Sequence, residues 1–485
     1  MRHLVFNRLR TFCVRTVRII IFISVHFVRK CVDESCEILK VTIINQHKGG
    51  DMDHNPISQR KERGLTTLSG AALGVSMVVG TGIFSLSGIA LDIGGAKGSI
   101  FGWFFAAFVI APFLFIFSHL GKTSSKRGLA DCLGEAFGTP AQNGMTLLLM
   151  SNFLLLLPAI ALVGANYLKE VMGLEKEWVS LLAYAILFLA TIFNLLGNGK
   201  TVSLSKVSLV ILFGILATLI LCFPHFLMKG LESLFSVETS GSPVDFSAAW
   251  KVTALVIFAY LGWENLSFVS ADFKHREQTI SRSYALSFIL VIALYLGLAL
   301  LLIGAKEAGL NTSGATGITA LFNQLPFGSL LALCVGLISL GNATAWMSSS
   351  SRSIVSAAEQ GILPELLAQR IGRNVPYIAL LFSFSVYGLI VLLCHVFEHS
   401  LSLLFLLVTQ NSLVIYALAI AAYWKMSKGT VKWVFTSLGF LSCIFLLSGF
   451  HWMVISPLGI FAIGSIRSLL TGRKITITQQ ITKSA

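Results

Sequence analysis

From about residue 65 to residue 470 the chain alternates long apolar runs with short polar punctuation. Each run is roughly 20 residues long, the length a helix needs to cross the hydrocarbon of a bilayer. The spans read as 65–91, 98–120, 139–168, 178–196, 201–223, 247–272, 280–304, 327–357, 376–397, 401–423, 431–449 and 452–469. An amphipathic approach from Gly128 to Phe137 leads into the third, and a polar loop with Gly241, Ser242 and Pro243 precedes the sixth. The pattern predicts an all-α polytopic membrane protein with twelve transmembrane helices. A leader covers 1–64, the helical domain 65–470 and a polar tail 471–485. The domain divides into repeats 65–223 and 247–423, with two extra helices over 431–470.

Two spans are interrupted where a membrane helix should be most regular. In the first, Gly80, Thr81 and Gly82 sit mid-run, and Gly262 does the same in the sixth. Glycine weakens a helix and lets the backbone leave helical angles. Unwound backbone at that depth is tolerated only where protein or a watery cavity satisfies its N–H and C=O groups. The alternative reading is close helix packing through small residues. The matching position of the two breaks favours a site. Five spans separate them, so the second set of five enters with opposite orientation. Paired broken helices in an inverted five-plus-five repeat point to a transporter's binding site at the midplane.

Charge fixes the expected topology. Only 12% of residues are charged, and the cations fall in short loops on one side. Arg60, Lys61 and Arg63 precede the first span, Lys122, Lys126 and Arg127 follow the second, and Lys274, Arg276 and Arg282 follow the sixth. Arg370 and Arg373, then Lys425, Lys428 and Lys432, then Arg473 and Lys474 keep to the same side. The opposite loops carry Glu170, Glu175, Glu177, Glu232, Glu238 and Asp245. With twelve spans both termini are cytoplasmic, in a cell (inner) membrane. The excess of Lys and Arg, 36 against 22 acids, then reads as topology and membrane-lipid contact and not as nucleic-acid binding. The eight cysteines are scattered without metal-ligand spacing, so neither metal nor cofactor is expected.

The first 51 residues differ from the rest. They are basic, and their apolar stretch 19–28 is too short to span and holds His26. Lys48-Gly49-Gly50-Asp51 is encodable as a purine-rich ribosome-binding sequence, and Met52 follows at once. Residues 1–51 are therefore expected to be untranslated, with Met52 as the start.

Several motifs in order give the chain a resemblance. Gly80-Thr81-Gly82-Ile83-Phe84 resembles the first-span motif of the amino acid–polyamine–organocation superfamily, and Phe258-Ala259-Tyr260-Leu261-Gly262-Trp263-Glu264 its sixth-span motif. Asp272 to Glu277 stands where the family has an acidic/aromatic, then Lys-Asn-Pro, loop. Ser351-Arg352 through Gln360-Gly361-Ile362-Leu363-Pro364 resembles its end of span eight, and Pro376-Tyr377 its start of span nine. Within the superfamily the likeness runs to bacterial methionine and branched-chain amino-acid exporters, through the Gly197-to-Gly214 spacing and the loop after span six. The chain departs from the family by lacking Asn-Pro after Lys274.

The two breaks are expected to form one site for a zwitterion. Amides at Thr81, Gly82 and Ile83 face its carboxylate, carbonyls near Phe258, Ala259 and Leu261 accept from its ammonium, and Gly80 and Gly262 complete the set of substrate-binding residues. The resemblance implies that Phe258 is an aromatic gate over the substrate. Glu264, the one acid well inside a span, holds the unwound segment or exchanges a proton, since carboxylates at that depth are costly. Ser348, Ser349, Ser350 and Ser351 offer hydroxyls to a sodium site, the weaker expectation for the coupling ion. Lys206 lies a turn or two into span five, towards the cytoplasmic side, and is read as reaching for the interface. Spans three, eight and ten hold no acid to pair a cationic side chain, and Asn152, Trp346, Gln410 and Asn411 are their notable members. Burying an unpaired charge is expensive, so neutral amino acids are expected. The whole reads as a secondary active transporter of amino acids, working by alternating access and exporting with proton coupling. An uptake permease, an exchanger and a non-transporting sensor are the alternatives. No enzymatic constellation converges near an interface, and the last two spans offer a face for a homodimer.

Overall fold

The computed structural model describes residues 65–123, 128–235, 245–268, 273, 276–371, 375–397, 401–448 and 455–484. The leader with Met52, the loop residues Gly241, Ser242 and Pro243, and Asp272, Lys274 and His275 lie outside the described residues. Within them the chain is helical. Its extended pairings are two isolated bridges, Leu65 with Phe273 and Ile371 with Val375.

Helix α1, Thr67–Val78, starts on a capping box in which Thr66 and Ser69 satisfy each other's backbone N–H groups. The chain leaves helical angles at Val79 and resumes as α2, Gly82–Thr123. This helix is 42 residues long, about twice what one crossing needs. It is divided at Gly95, whose φ of +58° suits only a residue without a Cβ. The short loop expected between the first two spans is thus a kink at Gly95 between two helical segments that follow one another directly. Next come α3, Leu129–Phe137, the expected amphipathic approach, and then α4, Thr139–Met172, α5, Trp178–Leu195, and α6, Asn198–Cys222. An amphipathic helix that the sequence reading assigned to loop, α7, Pro224–Phe235, follows directly.

The sixth span is built in pieces. It consists of α8, Phe246–Val256, a 3-10 turn, Ile257–Tyr260, and α9, Glu264–Phe268. Asp245 caps α8 by accepting from the N–H groups of Ser247 and Ala248. The remaining helices are α10, Arg276–Glu307, the short α11, Thr319–Phe322, α12, Gly328–Glu359, α13, Tyr377–Val396, α14, Leu401–Met426, α15, Val431–Ser448, and α16, Ile455–Ser484. The tail from 471, expected as a separate polar segment, continues α16 as backbone helix. Neither Pro nor Gly follows Gly472 to stop it.

Among the described residues nine helical stretches are long and apolar enough to cross a membrane. The 42-residue α2 is one of them, and its kink at Gly95 divides it into the second half of span one and the whole of span two. The stretches Val431–Leu447 and Ile455–Leu469 fall below that length, so the expected count of twelve rests on these two. Small residues set the closest helix crossings, as they do where lipid supplies no hydrophobic drive for association. Gly164 of α4 abuts Ser339 of α12, Gly341 of α12 abuts Ser208 of α6, and Gly70 and Gly74 of α1 abut Ser283 and Ser287 of α10. One loop also matters for the site. The segment between α10 and α11 rests on the first turns of α2, where Gly88 faces the carbonyls of Gly314 and Thr312. There Asp92 Oδ2 accepts from the Gly314 N–H at 2.6 Å.

Candidate functional site

Between the pieces of the two interrupted helices lies a cavity of about 120 Å³. Gly80, Thr81, Gly82 and Ile83 line it from the first break, and Phe258, Ala259, Leu261, Gly262 and Glu264 from the second. The structure thus brings every sequence-predicted site residue to one place. The breaks touch. A Cβ at Gly262 would come within 2.6 Å of the Met77 carbonyl, and Gly262 adopts φ +114°, which a residue with a side chain rarely does. The sequence pattern therefore requires glycine here for two independent reasons.

The first break is Val79–Thr81, and Gly82 is already helical. A helix leaves its first N–H groups without intrahelical acceptors, and its dipole makes that end attractive to anions. The Phe84 N–H turns back to the Thr81 carbonyl at 3.1 Å. The Thr81 hydroxyl is 1% exposed and has no hydrogen-bond partner. Phe258 lies across Gly82, with Cε1 at 2.8 Å from where a Cβ would stand, and packs against Phe405 of α14 at 4.4 Å between ring centroids.

The second break corrects part of the expectation. Two of the carbonyls expected to be free are engaged. That of Phe258 accepts from the Leu261 N–H at 3.3 Å, and that of Ala259 from the Tyr295 hydroxyl at 2.7 Å. Any further donor entering the cavity would meet the Ala259 carbonyl already engaged by the Tyr295 hydroxyl and would have to compete with it. The Gly262 N–H is also taken. Glu264 reaches back to accept it at 3.2 Å through Oε2, which accepts from the Tyr416 hydroxyl of α14 at 3.0 Å as well. Tyr284 donates to the Trp263 carbonyl at 3.0 Å. Tyrosines from two other helices thus stand in for the helical bonds that the sixth span gives up.

The other named residues divide. Asn152 and Trp346 line the cavity, and the Asn152 amide donates to Ser412 at 3.2 Å while its Oδ1 has no partner. Gln410 and Asn411 are buried away from the cavity, and Asn411 donates to Ser151 at 3.2 Å. The serine run is occupied locally: Ser351 donates to the Ser348 carbonyl at 3.1 Å, Ser350 accepts from Tyr387 at 2.7 Å, and Ser348 accepts from Arg352 at 3.1 Å. Lys206 is half-buried on α6. Sequence reasoning missed Tyr295, Asn342 and Asn265, all of which line the cavity. Asn265 Nδ2 has no partner there. The available signal was a tyrosine or amide in an otherwise aliphatic run.

This chain belongs to the amino acid permease family, whose model matches residues 65–471. It is 23% identical over 410 residues to an uncharacterized amino acid permease, YecA, of Bacillus subtilis (strain 168), covering 83% of this chain and 95% of that protein. It is 22% identical over 398 residues to the L-methionine/branched-chain amino acid exporter YjeH of Escherichia coli (strain K12), covering 80% and 93%. Among solved structures, MhsT in complex with L-phenylalanine shares the fold, with a TM-score of 0.50 at 13% identity over 79% of this chain and 98% of that one. The protein is therefore a multi-pass membrane protein of an amino-acid transport family, with the broken-helix transporter fold expected from its sequence.

Proposed function

We propose that the cavity between the two breaks binds neutral α-amino acids and that the protein carries them across the cytoplasmic membrane by alternating access. One observation carries this reading. Three buried polar atoms without protein partners, Thr81 Oγ1, Asn265 Nδ2 and Asn152 Oδ1, belong to residues lining one cavity. Buried polar groups are normally paired, so three unpaired ones on residues gathered around one cavity call for a polar guest. The start of α2, with the Thr81 hydroxyl, takes the carboxylate. The Ala259 carbonyl and Asn152 Oδ1 take the ammonium. Leu149, Leu156, Ile160 and Val408 leave an apolar wall for the side chain. Glu264 is the one ionisable acid or base on the wall, and it is engaged by Gly262 and Tyr416. A cationic side chain would have to compete with Gly262 and Tyr416 for that single carboxyl group.

Export coupled to protons, with Glu264 exchanging the proton, is our reading of direction and coupling. The likeness to a methionine/branched-chain exporter supports export. The likeness to the branched-chain amino acid permease BcaP of Lactococcus lactis, at 21% identity, supports uptake as the second reading. Flux of labelled methionine, leucine and alanine in proteoliposomes with an imposed pH gradient tests both. Flux that follows the gradient, and that Gly82→Leu abolishes, is expected. Absence of flux for all three sinks the neutral-substrate reading. Orientation, with both termini cytoplasmic, is tested by labelling single cysteines placed at residues 175 and 428 in intact cells; only the first should react.

A further inference from the structure

Tyr295 lies among leucines in α10, fully buried, its ring packed against Trp103 at 5.1 Å and Tyr260 at 5.0 Å. Its hydroxyl stands where the two interrupted helices meet. It donates to the Ala259 carbonyl at 2.7 Å and lies 3.4 Å from the carbonyl of Val78, the last residue of α1. A phenol has a single proton, so the shorter contact holds it and the Val78 carbonyl is the lesser partner. Val78, Ala259 and Tyr295 all line the cavity. An ammonium group brings three donors into the same space.

We propose that Tyr295 is a positioning residue that links occupancy of the site to the end of α1. When the ammonium of an α-amino acid donates to the Ala259 carbonyl, the Tyr295 hydroxyl turns toward the Val78 carbonyl. The proton stays on the phenol oxygen throughout, and only the direction of the O–H bond changes. In the empty protein the hydroxyl ties down the second break. In the filled protein it ties down the first, so α1 is held at its end only when substrate is present. The inference rests on the zwitterion site proposed above and adds to it a residue that competes with the substrate when the site is empty.

The test is Tyr295→Phe, which keeps the ring and removes the proton. In the wild type, binding exchanges the 2.7 Å bond to the Ala259 carbonyl for the longer 3.4 Å contact with the Val78 carbonyl, whereas the variant has no such bond to give up. Stabilisation of the purified, detergent-solubilised protein by L-leucine should therefore be larger in the variant than in the wild type, with leucine binding roughly three- to tenfold tighter. The desamino analogue 4-methylpentanoate, which has no ammonium, should show no such gain. In proteoliposomes the variant's KM should fall while kcat falls as well, because the link to α1 is gone. A purely structural hydroxyl would lower the melting temperature equally with and without leucine, and that result overturns the proposal. If Tyr295→Phe does not fold, 3-fluorotyrosine at 295 supplies a stronger donor of nearly the same shape. Leucine binding must then weaken, and unchanged binding overturns the proposal. If none of the twenty amino acids stabilises the wild type, the proposal falls together with the site reading. If leucine stabilises the wild type and Gly82→Leu abolishes that effect, the site reading stands whatever Tyr295→Phe shows.

Discussion

The two breaks solve the same problem in opposite ways. At the second, side chains from elsewhere replace the missing helical bonds: Tyr295 on Ala259, Tyr284 on Trp263, and Glu264 with Tyr416 on the Gly262 N–H. At the first, the side-chain contact reaching the helix end among the described residues is the 3.4 Å approach of Tyr295 to Val78, and Thr81 Oγ1 is buried without a partner. An unpaired buried hydroxyl costs about 1–3 kcal/mol. The backbone of the second break is largely finished by the protein itself, although Asn265 Nδ2 beside it has no partner, and the first break is finished less. On the function proposed above, span six combines architecture with the ammonium contact and span one supplies the carboxylate site.

That contrast can be broken by mutation. The largest effect is expected at Gly262. Gly262→Val places a β-branched side chain at φ +114° and against the Met77 carbonyl, so it should cost about 3 kcal/mol or more. Expression and melting temperature should both fall sharply, and a stably folded variant would show that the breaks do not touch. Gly82→Leu drives its side chain into Phe258 and should abolish amino-acid flux while lowering the melting temperature far less than Gly262→Val does. Equal damage at both sites would erase the division of labour.

Smaller effects sharpen the comparison. Glu264→Gln keeps an acceptor for Gly262 and a partner for Tyr416 but loses the ionisable group, so a stability loss of about 1 kcal/mol is expected. The wild-type flux should respond to an imposed pH gradient and the Gln variant should not. A response of the same size in both would remove the proton role and leave Glu264 as a brace. Thr81→Val removes the unpaired hydroxyl. The empty protein should keep its melting temperature or gain up to about 1 kcal/mol, and leucine binding should weaken. Destabilisation without a binding change would mean that the hydroxyl serves the fold.

The positions of both breaks were legible in the sequence because glycine in the middle of an apolar run has few structural excuses. Gly80, Gly82 and Gly262 could be read that way. The partners of the breaks could not. Tyr284, Tyr295 and Tyr416 arrive from α10 and α14, and nothing local in Ile292-Ala293-Leu294-Tyr295 says which carbonyl that ring will reach. For the same reason the carbonyls of Phe258 and Ala259 looked free in sequence and are bonded in the structure. Boundaries set by a single glycine were half legible. Gly95 reads as a loop residue, and its non-helical backbone does part the helical segments on either side, but no longer loop separates them. Helix α7 was hidden because its amphipathic pattern is short and follows Pro224 directly.

The segment of α2 before the kink at Gly95 has a mechanical meaning. The turns that open at the cavity with Gly82 are the same turns on which the loop between α10 and α11 rests, through Gly88 and the 2.6 Å bond between Asp92 and the Gly314 N–H. This short arm carries cavity residues at one end and the loop fastened further along. If the arm tilts as a unit, the loop must travel with it, and a label on Thr312 or Gly314 would register events at Thr81 that it never touches.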